Sequence, residues 1–298
     1  MIEHNLRFGL SCALVTPFAA DGGVANAMLA EHAASCLAAG CDSVTLFGTT
    51  GEGPSLGLAE RSTALGAMIG KGINPRRSII GGIASSSLPE AVAQARQLLD
   101  ADARALLVAP PFYFKNPSED GLFAWFGAFF DALGGAARDV IVYHIPSVTA
   151  VPIPVELVGR LRDAFPGVMR AVKDSGGDWA YSERLLAAHG DLDIMIGDER
   201  HLAAGLRHGA QGTISGLANI LAPRLRAMLA DKADDQAIFD LVQKVLRHPV
   251  TPAVKALLAA KTGNGDWLRA RPPLQALSGA AVAGMAEAWR AIDTAKAG

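Results

Sequence analysis

The chain has 298 residues, with 27 Lys and Arg against 29 Asp and Glu, a formal net charge of −2, and half of its residues hydrophobic. That composition excludes a disordered chain, a collagen-like fibre and a disulfide-dense scaffold. The scattered, nearly balanced charges exclude a basic field for nucleic acid or for an anionic membrane surface. A chain of this length buries roughly 75% of its unfolded surface, so it sustains a large core as one α/β barrel or two average domains. The cysteines Cys12, Cys36 and Cys41 contain no C-x-x-C pair, which points to reduced, packed thiols in a cytoplasmic protein. Glu3, His4 and Arg7 precede a short apolar stretch, Leu10 to Val15, without the basic region, long apolar core or cleavage site of a signal peptide. The longest candidate membrane segment, Ala105 to Phe114, is broken by Pro110 and Pro111, so no membrane span is expected.

Short apolar runs rich in β-branched residues alternate along the chain with longer stretches of helical spacing, the pattern of βα units. The predicted strands are Cys12 to Thr16, Ser43 to Phe47, Ser78 to Ile83, Ala105 to Ala109, Val140 to Tyr143, Met169 to Lys173, Ile194 to Ile196 and Gly212 to Ser215. The predicted helices are 26–39, 57–71, 88–100, 119–133, 154–164, 179–189, 199–208 and 221–230, with start signals such as Ser87 with Glu90 and Ser118 with Glu119 and Asp120. Eight strands, each followed by a helix, match a (β/α)8 TIM barrel. A doubly wound sheet would show five or six strands and a glycine-rich turn after the first, where this chain has Thr16-Pro17-Phe18. After about residue 222 the strand signals stop, and Gln236 to Arg247, Pro252 to Lys261 and Ser278 to Ala295 read as helices. The expected organisation is a catalytic barrel over 1–222 and a C-terminal helical extension over 223–298.

In such a barrel the chemistry collects where the strands end. Strand two ends in Gly48-Thr49-Thr50-Gly51-Glu52-Gly53, strand five in Tyr143-His144 and strand six in Lys173-Asp174-Ser175. Lys173 shares a strand face with Met169 and Ala171, which aims an ammonium into the barrel mouth. A desolvated lysine there is either a Schiff-base nucleophile or the partner of Asp174 or Asp198 in an ordinary ion pair. Tyr143 is either a proton-carrying phenol or a packed rim tyrosine, and His144 beside it is a candidate substrate contact. The Gly-Thr-Thr-Gly turn offers amides and hydroxyls to a carboxylate or phosphate; a plain turn, with glycines supplying positive φ, is the alternative. Gly66 to Gly72 fails the spacing of a phosphate-binding loop, and the seven histidines show no metal-ligand pattern, so neither metal nor cofactor is expected.

Together these motifs resemble the dihydrodipicolinate synthase and N-acetylneuraminate lyase family of Schiff-base aldolases. The similar elements are Thr16-Pro17-Phe18, Gly48 to Glu52, Pro110-Pro111-Phe112-Tyr113, Tyr143-His144-Ile145-Pro146, Val172-Lys173-Asp174-Ser175, Gly197-Asp198 and Arg271-Pro272-Pro273-Leu274, collinear from about residue 8 to 275. The resemblance implies a barrel assembled as a homotetramer of two tight dimers, or as a dimer. It gives Lys173 the role of the imine-forming lysine and Tyr143 that of the proton shuttle. Thr49 and Thr50, with Gly51 beside them in the turn, hold the carboxylate of the 2-oxo acid, and Thr50 completes the catalytic set. It also implies that Tyr113 reaches a neighbouring subunit's site and that the Ile214 carbonyl lies beside bound pyruvate. The departures are Val148 where the synthases carry a carboxylate-binding arginine, His144 where asparagine is common, and Ala150 where glycine is common. The expected activity is a cofactor-independent lyase that joins or releases pyruvate and an aldehyde. Dihydrodipicolinate synthase itself, a 2-oxo-3-deoxy sugar-acid aldolase or dehydratase, and a non-catalytic 2-oxo-acid-binding barrel are the alternatives.

Overall fold

The computed structural model describes residues 7–294. Eight strands, β1 (Gly9–Ala13), β2 (Ser43–Leu46), β3 (Ile79–Ile83), β4 (Ala105–Val108), β5 (Val140–His144), β6 (Met169–Asp174), β7 (Asp193–Ile196) and β8 (Gly212–Ser215), pair in parallel in sequence order, and β8 closes onto β1. The helices between and after them are α1 (Asn26–Ala38), α2 (Leu58–Gly70), α3 (Leu88–Asp100), α4 (Glu119–Leu133), α5 (Val155–Ala164), α6 (Trp179–Ala188), α7 (Leu202–Arg207) and α8 (Ala218–Asp231). Three more, α9 (Gln236–Val245), α10 (Val250–Thr262) and α11 (Gly279–Thr294), follow the barrel. The (β/α)8 architecture expected from the alternation is therefore the observed one. No helix among the described residues is long and apolar enough to cross a membrane. The reading of Glu3 and His4, and the end of the last predicted helix at Ala295, lie outside the described residues.

Two apolar layers follow from the strand period of two. Ile80, Leu107, Ile141, Ala171, Met195 and Ile214 fill the barrel, while Val44, Leu106, Val142, Val172 and Ile194 face the helices. The three cysteines are buried and free. Met169, expected on the inward face with Lys173, belongs to the outer layer instead. Val140 pairs with Met169 but Ile141 pairs with Ala171, so Arg170 is an extra residue in β6 and the alternation restarts after it.

The boundary differences have local causes. Strand β1 lies three residues earlier than Cys12 to Thr16, because Leu10 through Val15 are all buried and hydrophobicity does not mark where pairing ends. Strands β5 and β6 each run one residue further than expected, into the buried polar residues His144 and Asp174. Helix α8 starts at Ala218 rather than 221 and tolerates Pro223 because non-helical angles at Leu221 break it just before, placing the proline at a new helix start. Ser118 caps α4 by accepting from the Gly121 amide at 3.1 Å, whereas Ser87 makes no side-chain cap on α3.

Candidate active site

Across the β5–β6 ladder Tyr143 stands opposite Lys173, and His144 opposite Asp174. The pleat turns the first pair into the barrel and the second outward. Both inner side chains are 5% exposed, and Lys173 Nζ donates to Tyr143 Oη at 3.3 Å. The ammonium also lies 4.4 Å from the centre of the tyrosine ring. The ion pairs considered for Lys173 do not form. Asp174 accepts from Ser182 Oγ at 2.5 Å and from the Gly176 amide at 2.9 Å, and Asp198 is engaged by Arg200 at 2.6 Å. An amine in that position has a phenol oxygen as its partner and no counter-ion.

His144 does not reach the site. Its ring stacks on Tyr181 at 4.0 Å on the outer face, and Nδ1 accepts from the Ile153 amide at 3.1 Å. Burial holds its pKa down at about 4, so the ring is a neutral acceptor. Tyr181 Oη donates to the Ile153 carbonyl at 2.7 Å, and the two aromatic side chains together tether the loop that follows β5.

The turn after β2 departs from the simple glycine-rich corner. Its positive φ angles belong to Phe47, at 60°, and Glu52, at 55°, not to its glycines. Such non-glycine conformations cost of order 1 to 3 kcal/mol and persist only where the surroundings impose them. The glycines are needed for close approach: a Cβ on Gly53 would sit 1.7 Å from the Phe47 carbonyl oxygen, and one on Gly51 would sit 2.7 Å from the Leu14 carbonyl oxygen. The amides of Gly51, Glu52 and Gly53 bond back to the carbonyls of Gly48 and Thr49. Thr16 Oγ1 adds a bond to the Gly51 carbonyl at 2.6 Å, and the buried Arg61 guanidinium lies 4.3 Å over the Phe47 ring. The amides of Thr49 and Thr50 take no part in these bonds and stand beside two hydroxyls.

Lys173, Tyr143, Thr49, Thr50 and Ile214 line one cavity of about 190 Å³ at the C-terminal end of the barrel. Three other candidates do not line it. Gly51 shapes the turn, His144 faces outward, and Tyr113 is 74% exposed with its ring edge-on to Phe114. The apolar part of the wall comes from Leu217 at the start of α8, from Val242 and Val245 of α9, and from Val250 and Val254 of α10. Sequence reasoning passed over these residues because helical periodicity marks them as core without saying what they face. It also passed over Glu199, which accepts from Ser215 Oγ at 2.5 Å; burial raises its pKa and favours the protonated acid. Val148 sits at the cavity mouth, 61% exposed. Among the described residues Lys173 is the one Lys or Arg that lines the cavity, and Asp198 and Glu199 also line its wall.

A closed (β/α)8 barrel with a buried lysine and tyrosine in a cavity at the strand ends has the architecture of a barrel enzyme. Residues 7–281 match the model of the dihydrodipicolinate synthetase family, and the chain belongs to that family, whose members are lyases. It is 35% identical to an uncharacterised DapA-like lyase of Chloroflexus aurantiacus over 293 residues, 95% of this chain and 96% of the relative. It is 34% identical to 4-hydroxy-tetrahydrodipicolinate synthase 2 of Streptomyces coelicolor, over 78% of this chain and 76% of that one. A dihydrodipicolinate synthase structure from Agrobacterium tumefaciens superposes with a TM-score of 0.93 at 53% identity, covering 96% of this chain and 99% of the other.

Proposed function

We propose that this lyase works through an imine at Lys173, with pyruvate as the nucleophilic half of a 2-oxo acid substrate. The carrying observation is the buried Lys173 Nζ to Tyr143 Oη contact of 3.3 Å in a cavity that gives the amine no carboxylate partner. The neutral amine adds to the C2 ketone and water leaves, giving an iminium. In the synthetic direction a C3 proton is lost, and the resulting enamine carbon bonds to the aldehyde carbon. In cleavage the C3–C4 bond breaks instead, and the electron pair enters the iminium. Tyr143 passes a proton to or from the aldehyde oxygen, which is alkoxide-like in the transition state. Thr49 and Thr50 fix the carboxylate, and the Ile214 carbonyl flanks the bound pyruvate, so that the bond at C3 is oriented for reaction.

The acceptor end supports an aldehyde without a second carboxylate. Val148 cannot make the bidentate contact of an arginine, and no Arg or other Lys among the described residues lines the cavity to take its place. Asp198 and Glu199, with Ser175, favour an acceptor that presents hydroxyl groups, so a 2-oxo-3-deoxy sugar acid is the second reading. The exposed Tyr113 and Phe114 support association with further copies of the chain, as a dimer or tetramer, and the free, buried thiols support a cytoplasmic location.

Incubation with pyruvate and borohydride is expected to add the reduced three-carbon fragment at Lys173, read by peptide mass. Labelling elsewhere, or none, overturns the mechanism. A panel of 2-oxo-3-deoxy acids assayed for pyruvate release then identifies the acceptor half.

A further inference from the structure

The strained turn that presents Thr49 and Thr50 is locked from a distant part of the chain. Glu52 and Lys255 form an ion pair with both side chains fully buried. Lys255 Nζ also donates to the Arg269 carbonyl at 2.6 Å, and the second Glu52 oxygen accepts from the Arg271 amide at 2.9 Å. One turn of α10 earlier, Thr251 Oγ1 donates to the Thr49 carbonyl at 3.3 Å. Between them Val254 packs toward the same place: a Cβ on Gly216 would lie 3.5 Å from Thr50 Oγ1 and 3.8 Å from Val254 Cγ2. Thr251, Val254 and Lys255 stand at i, i+3 and i+4, so a single face of α10 grips the turn.

Stability alone does not account for this pair, because burying two charges costs desolvation that an apolar pair of similar volume would avoid. What an apolar pair would lose is direction: Glu52 sits at φ 55°, held there by bonds to its carboxylate from α10 and from the segment that follows it. We infer that Glu52 and Lys255, which do not line the cavity, are positioning residues that act with Thr251 on its wall to aim the Thr49 and Thr50 amides and hydroxyls at the carboxylate of the 2-oxo acid. The inference rests on the carboxylate-binding role proposed for the two threonines. It makes the C-terminal extension part of the binding site, responsible for holding the substrate and not for the attack of Lys173.

The test is the double variant Glu52→Gln with Lys255→Met, which keeps the side-chain volumes and removes both buried charges. It is measured beside the wild type for thermal melting, for KM and kcat, and for borohydride trapping at Lys173. Trapping is done with pyruvate and with acetaldehyde, which has a carbonyl but no carboxylate. The expected result is a folded protein whose KM for pyruvate rises about tenfold to a hundredfold, the range for losing a charge-assisted contact, while acetaldehyde is trapped at the wild-type rate. A folded double variant with unchanged pyruvate KM overturns the inference, as does an equal fall in trapping of both carbonyls. If the double variant does not fold, the single variant Glu52→Gln, which keeps the side-chain shape and removes the charge, decides: a severalfold rise in pyruvate KM at unchanged acetaldehyde trapping supports the inference, and an unchanged KM overturns it. Wild-type protein that is not labelled at Lys173 by pyruvate refutes the proposed function itself, a separate outcome.

Discussion

On the inner face of the β5–β6 ladder, Tyr143 and Lys173 share a 3.3 Å contact and open onto a cavity; one residue along, on the outer face, His144 and Asp174 are consumed by the scaffold. All four are buried and polar, yet their partners differ in kind. The outer pair is satisfied by Ile153, Tyr181, Ser182 and Gly176, groups that stay put. The inner pair has each other and faces the cavity. Burial of a polar group alone therefore does not mark a reactive site; burial with an unfilled partner does.

The sharpest way to break this comparison is Lys173→Met. It should abolish borohydride trapping and reduce turnover to background, because among the described residues no second amine lines the cavity. Residual turnover near the wild-type rate would end the imine mechanism. Tyr143→Phe comes next, since it keeps the ring and removes only the hydroxyl. Turnover is expected to fall by about 10² to 10⁴, the usual contribution of a positioned acid–base group, while trapping at Lys173 persists, more slowly. If the hydroxyl is merely packed, only a hydrogen bond worth about 0.5 to 1.5 kcal/mol is lost, seen in melting and not in rate.

Val148→Arg sharpens the comparison at the cavity mouth. The outer-face bonds of His144 and Tyr181 to Ile153 hold the end of the segment after β5, whose single helical turn Pro146–Thr149 carries residue 148. A guanidinium there should raise kcat/KM with aspartate semialdehyde by about tenfold to 150-fold, corresponding to one charge-assisted contact of about 1.5 to 3 kcal/mol. No gain, measured against an uncharged aldehyde, would show that the loop does not aim residue 148 at the acceptor.

The smallest effect belongs to the outer face. His144→Phe keeps the stack on Tyr181 but leaves the buried Ile153 amide without its acceptor, which should cost about 1 to 3 kcal/mol in denaturant unfolding at neutral pH, with trapping at Lys173 intact. The pH dependence has a definite sign. Burial lowers the folded-state pKa of His144 to about 4, below its ordinary value of 6.5, so the unfolded chain takes up this proton first. Stability from this residue is full above about 6.5 and lost as pH falls toward 4, by an amount on the order of 3 kcal/mol. The variant lacks that slope, so the gap between the two proteins should narrow on acidification. A gap that is constant with pH, or widens, would show that His144 is not buried neutral.

Much of the site was legible because a strand end is a local event. Lys173, Tyr143, Thr49, Thr50 and Ile214 were singled out by polar groups closing apolar runs and by motif resemblance, and one cavity holds them all. His144 was misplaced although alternation alone argues against it: neighbours on a strand face opposite ways. The inward run assigned to β6 failed at Met169 because the extra residue Arg170 is defined by pairing with β5, which periodicity along one strand does not contain. Of the two readings the sequence offers for the 48–53 turn, the one in which its glycines supply positive φ fails: the glycines give room for backbone to pass, and the strained residues are Phe47 and Glu52.

Sequence by itself determined the eight βα units, their order, and the residue types at the strand ends, because hydrophobic period and turn chemistry are properties of short segments. Only the tertiary structure decided what those groups meet. Glu52 and Lys255 lie 203 positions apart, as do Asn219 and its partners on β1 and the loop after it at a similar remove, and no local pattern links them. Closing the barrel and packing the last helices across its mouth brings them within bonding distance. Which polar group is satisfied by the scaffold, and which is left to a substrate, is settled at that step.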